Sequence, residues 1–224
     1  MSAILDLPGH DPVAEANHRI ANSLTLLVSL VRMQANAAVR TDSPPSKAEV
    51  RLMLEGVAAR ISTISQLHRL LAHVPADGVT NLKPHLQGVT DALIAALSSS
   101  ERPLTVVHTG SDCLVRVRQV QPIILILCEI FINAMKYAHP SGVPLAMTVD
   151  CLPAADGRLV IAVSDDGVGL PEGFDPRASQ GLGFRVMRSL ADEIGARLDI
   201  TSSALGLTFR LSLPAGAMAS AKLA

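Results

Sequence analysis

The chain has 224 residues, 49% of them hydrophobic and only 2% aromatic, and its formal net charge at pH 7 is −1. This length suits one large domain or two small ones, and the core must be aliphatic. The balanced charge gives no reason to expect binding to nucleic acid. The most apolar stretch, residues 123–132, is too short to span a bilayer and contains Glu129, so we expect no membrane insertion. Three singly scattered cysteines and the lack of a signal-peptide pattern favour a cytoplasmic location.

The first third of the chain has the pattern of two long helices, separated by the turn-rich segment TDSPPS at 41–46. Apolar residues recur there at alternating steps of four and three, and we call these positions the heptad seam. The seam comprises Ile20, Leu24, Leu27, Val31, Gln34 and Ala38, then Val50, Leu54, Val57, Ile61, Ile64, His68 and Leu71. Such a pattern predicts a helical hairpin over 12–74, and two hairpins would cover their seams by forming a homodimeric four-helix bundle. Packing of the hairpin on its own C-terminal domain is the alternative.

After a linker at Val74–Asn81 the pattern changes to mixed helices and strands. Predicted helices are 82–97, 120–137 and 183–194, and predicted strands are 104–108, 114–117, 145–151, 159–163, 198–201 and 207–213. Asp156 and Gly157 predict a hairpin turn between two of the strands. The fold class is therefore α+β: the helical hairpin is followed by an α/β sandwich over 82–214. Residues 1–11 and 215–224 are expected to be a disordered lead and a flexible tail.

His18 lies on a polar face of the first predicted helix. The polar residues His18, Asn22, Thr25, Ser29 and Arg32 step by four and three, parallel to the seam but on another face. This spacing predicts that His18 faces solvent, where its neutral imidazole can act as a nucleophile near pH 7. Glu15, one turn earlier, is placed to orient the ring or accept its proton. Position alone favours the alternative of an ordinary surface histidine. His68, on the seam, is predicted to be a histidine of the bundle interior.

One face of the most apolar helix carries Glu129, Asn133 and Lys136, at i, i+4 and i+7. A carboxylate, a carboxamide and an ammonium on one face of a buried helix fit a magnesium-bound triphosphate, because they supply oxygen ligands for the metal and a cation for phosphate. A solvated polar stripe is the alternative.

Two glycine motifs follow that helix. Asp165 ends a predicted strand and is followed by Gly167 and Gly169, so an acceptor lies beside a tight turn where the carboxylate can accept an adenine amino hydrogen. Gly181 and Gly183 precede a helix, where phosphates can approach backbone N–H groups. The intervening residues 170–180 are typical of a mobile lid. An ordinary Asp-Gly turn and a chance GxG are the alternatives.

In this order the motifs resemble the HisKA_2-type sensor histidine kinases, over about residues 12–214. The similar segments are 15–24 and 29–34 (the H-box and its continuation), 129–138 (N-box), 165–169 (G1 box), 181–183 (G2 box) and 206–209 (the final Gly-Thr strand). One departure is Ala21, which stands where the family usually has Lys. The resemblance implies a Bergerat-type (GHKL) ATP-binding fold for the C-terminal domain.

The resemblance also implies roles for individual residues. His18 would be the phosphoacceptor, Asn133 would hold Mg²⁺ with help from Glu129, and Asp165 would bind the adenine of ATP. Lys136 would face phosphate, and the remaining candidates shape the nucleotide pocket: Gly167, Gly169, Gly181, Gly183 and Thr208. The phosphoryl group would move from ATP to His18 and then to an aspartate of a response-regulator receiver domain.

Fewer than twenty residues precede His18, so the expected signal source is a separate sensor protein. Two other interpretations stay open. One is a histidine phosphotransfer protein or response-regulator phosphatase that uses the ATP-like domain as a scaffold. The other is an anti-sigma or serine-kinase module of the same fold, against which the long histidine-bearing hairpin argues.

Overall fold

The structure, a computed structural model, describes residues 12–39, 44–71, 78–139, 143–154, 156–176, 178 and 181–214. Within these ranges the side chains of 12–20, 22, 26, 30, 34, 37 and 182 are not described. The predicted lead at 1–11 and tail at 215–224 lie outside the described residues.

Five helices and seven strands make up the described part of the chain. The helices are α1 (Pro12–Val39), α2 (Lys47–Leu71), α3 (Leu82–Leu97), α4 (Val117–Tyr137) and α5 (Leu182–Glu193). The strands are β1 (Val79–Asn81), β2 (Leu104–Gly110), β3 (Leu114–Arg116), β4 (Leu145–Pro153), β5 (Leu159–Asp165), β6 (Arg197–Ser203) and β7 (Gly206–Leu213). The mixed helix-and-sheet class predicted from the sequence is confirmed.

The hairpin of α1 and α2 is defined by a cap and by an interhelical contact. α2 begins at a capping box, in which the Ser46 N–H donates to Glu49 Oε2 at 2.8 Å and the Glu49 N–H donates to Ser46 Oγ at 3.2 Å. Further along, His68 Nε2 lies 3.1 Å from Ser23 Oγ on α1. The prediction of His68 as a bundle histidine is therefore confirmed.

The five-stranded sheet has the order β2-β4-β5-β7-β6. Three neighbouring pairs are antiparallel, whereas β2 and β4 are parallel, with Leu104 opposite Leu145. The sequence pattern did not predict the parallel pair. This pair is parallel because α4 lies between β2 and β4 in the chain and forms a crossover, which brings the chain back in the same direction. The predicted Asp156-Gly157 turn does join β4 to β5, and Gly157 adopts φ +77°.

The predicted linker ends in a short strand, which the sequence analysis missed. β1 pairs antiparallel with β3, and Asn81 Oδ1 accepts hydrogen bonds from the N–H groups of Lys83 (3.2 Å) and Cys113 (3.3 Å). Asn81 thus caps α3 and ties the linker's end to the loop before β3. The linker is docked at this end rather than free.

α4 is the central helix of the core. Among the described helices it is the one long and apolar enough to cross a membrane by length and composition, but 72% of its most apolar window is buried inside the fold. It starts at Val117, three residues before the predicted start, because Gln119 Oε1 accepts a hydrogen bond from the Arg116 N–H at 3.1 Å and fixes the first turn. A helix so enclosed is typical of a soluble core.

α2 packs against both α3 and α4, so the hairpin rests on its own C-terminal domain through one face. A row of small residues, Gly56, Ala59 and Thr63, is buried at this contact. Much of the heptad seam stays exposed on the other side, including Leu24 (54%), Leu54 (64%) and Ile61 (52%). The alternative of packing on the C-terminal domain is therefore realised by α2, yet an uncovered apolar surface remains for a second chain.

Candidate functional site

Three elements bring the predicted nucleotide-binding residues together: the C-terminal half of α4, the turn after β5, and the start of α5. α4 packs along α5 and also contacts β5. The sequence motifs at 129–138, 165–169 and 181–183 therefore converge at one end of the sheet.

Asn133 lies against the start of α5. A Cβ added to Gly183 would be 2.9 Å from Asn133 Nδ2 and 3.1 Å from Oδ1, so only glycine allows this approach without a shift. Asn133 Nδ2 is buried and has no hydrogen-bond partner among the described residues. A buried, unsatisfied amide beside a helix N-terminus is a place where a ligand oxygen would be stabilised.

Lys136 follows one turn later on the same face and is half-buried. Burial lowers its pKa, the positive charge of Arg60 on α2 lowers it further, and the carboxylate of Glu129 partly opposes both effects. A partly desolvated ammonium favours an anionic ligand, which would replace its lost hydration. The geometry is compatible with the predicted contact to phosphate.

Glu129 has a different role from the one expected. Its carboxylate accepts hydrogen bonds from Arg60 Nε at 2.6 Å and Arg60 Nη2 at 2.9 Å, and both side chains are only 3% exposed. A bidentate, buried ion pair engages both oxygens. The structure thus assigns Glu129 to Arg60, in place of the predicted contact with Mg²⁺, because the guanidinium lies where a cation would bind.

Asp165, 8% exposed, ends β5 and holds the following turn. Its Oδ1 accepts hydrogen bonds from the N–H groups of Gly167 at 3.0 Å and Leu207 at 3.2 Å. Burial raises the pKa of this carboxyl, although the two backbone donors counteract the effect. No hydrogen bond engages Oδ2 within the part of the chain that the structure describes, which leaves that oxygen available to an adenine amino group.

Glycine is required on both sides of Asp165. A Cβ on Gly206, where φ is +119°, would be 1.9 Å from the Asp165 carbonyl oxygen. A Cβ on Gly167 would be 2.6 Å from the Ala138 Cβ, because the turn rests on the end of α4. The turn after β5 therefore packs closely between α4 and β7, and no side chain fits at positions 167 and 206.

Gly169 and Thr208 lie nearby. Gly169 has φ +76°, and a Cβ there would be 2.2 Å from the Ser203 carbonyl oxygen. Thr208 Oγ1 lies 2.9 Å from Ser164 Oγ in the β5–β7 pair, so its hydroxyl is held one register position from Asp165. Thr208 is therefore adjacent to Asp165 and engaged with a serine, and its place in the nucleotide pocket stays a prediction.

Two polar residues beside the turn, His139 and Asp166, were not predicted from the sequence as part of the site. Asp166 Oδ1 accepts a hydrogen bond from the Ala146 N–H at 3.0 Å and lies 2.9 Å from His139 Nε2. This carboxylate connects the end of α4, the start of β4 and the turn after β5. His139 lies near the end of α4 and Asp166 lies next to Asp165. No rule of sequence spacing pairs two residues this far apart in the chain.

The predicted lid is anchored to α5 where it is described. The ring centroids of Phe174 and Phe184 lie 5.9 Å apart, and Arg188 Nη1 donates to the Pro176 carbonyl oxygen at 2.8 Å. Gly181, which caps α5, is exposed. The described part of the lid therefore lies against α5, the helix whose first turn contacts Asn133.

His18 and Glu15 belong to α1, but their side chains lie outside the described residues. α1 contacts α5 as well as α2, so the histidine-bearing helix touches the nucleotide-side domain. Their predicted roles stay predictions.

Magnesium would find few protein ligands here. Within the described ranges, no group of three or more His, Cys, Asp or Glu side chains could hold a metal ion. Mg²⁺ in phosphate sites is usually held by one or two protein oxygens together with phosphates and water. The Asn133 side chain fits such a nucleotide-borne ion through its oxygen Oδ1, and its unsatisfied Nδ2 is a donor that suits a phosphate oxygen. Glu129 in its present pair with Arg60 does not fit the ion.

Two family models match the chain. Residues 15–97 match the family described as histidine kinase (HisKA_2), and residues 119–217 match the family described as histidine kinase-, DNA gyrase B-, and HSP90-like ATPase. Together the two matches include all the motifs described above, and residues 206–209 of β7 lie within the second match.

Among curated proteins, the chain is 29% identical over 188 residues to the sensor histidine kinase PdtaS of Mycobacterium tuberculosis, covering 84% of this chain and 35% of that protein. It is 24% identical over 204 residues to blue-light-activated histidine kinase 2 of Erythrobacter litoralis, covering 90% and 56%. The chain thus spans about a third to a half of the length of these relatives.

Among solved structures, the fold resembles the histidine kinase domain of a blue-light-activated histidine kinase from Erythrobacter litoralis. The TM-score is 0.64 at 23% identity, and the match covers 92% of this chain and 91% of that one. The likeness extends through the hairpin and the sheet domain, so both parts are those of a known fold.

Proposed function

The chain belongs to the HisKA_2-type histidine kinases, and we propose that it is an ATP-dependent kinase that phosphorylates its own His18 and passes the phosphoryl group to an aspartate of a response-regulator receiver domain. The observation that carries the proposal is the buried, unpartnered amide of Asn133 against Gly183 at the start of α5. An arrangement of this kind suits a bound phosphate oxygen better than an empty protein interior.

Each described residue contributes a distinct interaction with nucleotide. Asp165 Oδ2 accepts the adenine amino hydrogen, while Oδ1 keeps the turn in place through two backbone donors. Asn133 and Lys136 face the phosphates, and the N-terminus of α5 adds backbone donors and a favourable dipole. Magnesium bound to the triphosphate would supply charge neutralisation.

In the proposed reaction, a ring nitrogen of neutral His18 attacks the γ-phosphorus of ATP. The N–P bond forms as the bond between that phosphorus and the bridging oxygen of ADP breaks, and the ring proton passes to Glu15 or water. Catalysis here consists mainly of positioning and charge neutralisation. Transfer to the receiver aspartate regenerates the histidine.

The exposed part of the heptad seam supports a homodimer as the working form. Leu24 and Val31 on α1 and Leu54 and Ile61 on α2 are exposed apolar side chains that a second hairpin would cover. A cytoplasmic location completes the proposal.

The test is incubation with Mg²⁺ and γ-labelled ATP of the wild-type protein, His18→Ala and, as a matched control from the same hairpin, His68→Gln. We expect acid-labile label on the wild type and on His68→Gln, and none on His18→Ala. Label that persists on His18→Ala would contradict the assignment of the phosphoacceptor.

One observation favours a second function, that of a histidine phosphotransfer protein or phosphatase. The pairing of Glu129 with Arg60 takes from Mg²⁺ a carboxylate that a kinase was expected to use. If the folded wild type takes no label from ATP but does take label from a phosphorylated receiver domain, the protein acts as a histidine phosphotransfer protein. Loss of phosphate from the receiver without labelled His18 would identify a phosphatase instead.

A further inference from the structure

The pair Arg60–Glu129 joins the hairpin to the nucleotide-side domain. Arg60 belongs to α2 and Glu129 to α4, and the guanidinium contacts the carboxylate through two hydrogen bonds of 2.6 and 2.9 Å. Gly56, one turn before Arg60, makes room for it: a Cβ at Gly56 would be 3.2 Å from Arg60 Nη1. The two helices therefore approach closely around a buried charge pair.

Burial makes each partner dependent on a counter-charge. Both side chains are 3% exposed, so either one without its partner would be a desolvated, uncompensated charge. A carboxylate in this position must be paired with a cation, which is Arg60 while α2 is docked. Lys136 on α4 is within electrostatic range of the carboxylate, and a metal ion brought by a nucleotide is a further cation that could pair with it.

The pair is not fully satisfied. Arg60 Nη1 is buried and has no hydrogen-bond partner among the described residues. An unmade hydrogen bond in a buried pair lowers the cost of exchanging one partner for another. The contact is therefore better suited to release than a completely bonded ion pair would be.

The pair also lies beside the nucleotide site. Asn133 and Lys136 follow Glu129 on the same face of α4, and Lys136 experiences the charges of both Arg60 and Glu129. A change of partner at Glu129 is therefore transmitted to the residues that face phosphate.

We propose that Arg60 is a positioning residue that withholds Glu129 from the nucleotide-bound Mg²⁺ while α2 is docked on α4. Binding of the magnesium nucleotide competes with Arg60 for Glu129, so that nucleotide binding and release of α2 are coupled. By reciprocity, any signal that loosens α2 tightens nucleotide binding by the same factor. The inference rests on the proposed nucleotide binding of this domain.

The experiment measures the affinity for Mg²⁺–ADP by calorimetry, with and without Mg²⁺, on the full chain. The variants are Arg60→Gln, Glu129→Gln, the double variant, and Arg51→Gln as a matched control. Arg51 lies on the same helix in an exposed pair with Glu55, so its loss removes the same charge without touching α4.

We expect Arg60→Gln to bind Mg²⁺–ADP about tenfold more tightly, because the nucleotide-bound Mg²⁺ no longer competes with Arg60 for Glu129. The gain should require Mg²⁺, disappear in the double variant, and be absent from Arg51→Gln. Arg60→Lys, which keeps the charge but loses the bidentate geometry, should give a smaller gain and serves if Arg60→Gln does not fold.

Hydrogen exchange gives a second reading on the wild type. Saturating Mg²⁺–ADP should speed amide exchange in residues 56–64 of α2, whereas a purely structural pair would leave it unchanged or slower. Equal or weaker binding by a folded Arg60→Gln or Arg60→Lys overturns the inference alone. Absence of ADP binding by the wild type and every variant overturns the proposed nucleotide binding and this inference with it.

Discussion

Gly183 and Asn133 are in contact across two helices: a Cβ on Gly183 would lie 2.9 Å from Asn133 Nδ2. The first turn of α5 therefore rests directly on the carboxamide of Asn133 on α4. This contact joins the G2-box glycine to the N-box asparagine and defines the phosphate side of the candidate site.

Gly183→Ala should weaken nucleotide binding while leaving the protein folded. The new Cβ forces the Asn133 carboxamide to shift by a few tenths of an ångström, and misplacement on this scale costs about tenfold or more. Helix propensity favours alanine over glycine by up to about 1 kcal/mol, so the free energy of unfolding should not fall along with the affinity for nucleotide. Calorimetry with Mg²⁺–ADP and thermal unfolding measure the two effects.

Gly88→Ala is the control for that prediction. Gly88 lies in α3, where a Cβ would make an ordinary 3.5 Å contact with Leu70 Cδ1. The substitution should raise the free energy of unfolding by about 0.5–1 kcal/mol and leave the affinity for nucleotide unchanged. Equal losses of affinity in the two variants would mean that Asn133 is not held by Gly183.

Asp165→Asn should reduce the affinity for adenine nucleotides by about 10- to 100-fold, the value of one hydrogen bond to a charged group. The amide oxygen can still accept from Gly167 and Leu207, so the turn is retained, but the amide nitrogen offers a donor where the adenine amino group is also a donor. Titration of the wild type and of Asp165→Asn with ATP and with inosine triphosphate measures the affinity of each protein for the two nucleotides. The variant should discriminate less between the two, and unchanged preference would contradict the assignment.

The same carboxyl makes a pH-dependent contribution to stability. Burial raises the pKa of Asp165 above 3.8, so the folded protein binds this proton more readily than the unfolded chain. Its contribution to the free energy of unfolding is therefore greatest below 3.8 and is lost as pH rises through the raised pKa. Asp165→Asn should lack this decline when the unfolding free energy is compared with the wild type between pH 3.5 and about 7.

Leu54→Glu should prevent dimerisation without unfolding the chain. Leu54 is 64% exposed on the seam face of α2, where a second hairpin would bury it, and a buried charge without a partner is costly. Light scattering should then report the mass of one chain, 23.5 kDa, where the wild type gives twice that value. Leu205→Glu, at the 85% exposed turn between β6 and β7, should leave the mass unchanged. A wild-type mass of one chain would contradict the dimer.

The three cysteines should be unreactive in the native protein. Cys113, Cys128 and Cys151 are free and buried, and burial raises the pKa of the Cys128 thiol to about 12. Its thiolate, the reactive form, then makes up about one part in ten thousand at pH 8. Titration with a chromogenic disulfide should find no reactive thiol in the folded wild type, one in Leu205→Cys, and three in the denatured wild type. Rapid reaction of the folded wild type would show that the core opens.

Local sequence patterns determined most of the elements and the candidate motifs. The seam on α1 and α2, the apolar run of α4 and the Asp-Gly turn between β4 and β5 each depend on periodicity or turn chemistry that a few neighbouring residues carry. For the same reason Asp165, Gly167, Gly169, Gly181 and Gly183 were recognisable from their spacing. These features require no knowledge of distant residues.

Only the tertiary structure decided which groups pair across the chain. Arg60 and Glu129 are 69 positions apart. From its own helix Glu129 was interpreted as a metal ligand, because the cation nearest to it on that face, Lys136, was assigned to phosphate. The parallel pairing of β2 with β4, the docking of β1 on β3 and the contact of His139 with Asp166 are likewise long-range. Periodicity fixes which face of an element is apolar, but the partner of a buried charge is fixed by where packing brings the two helices together, and that depends on the whole core.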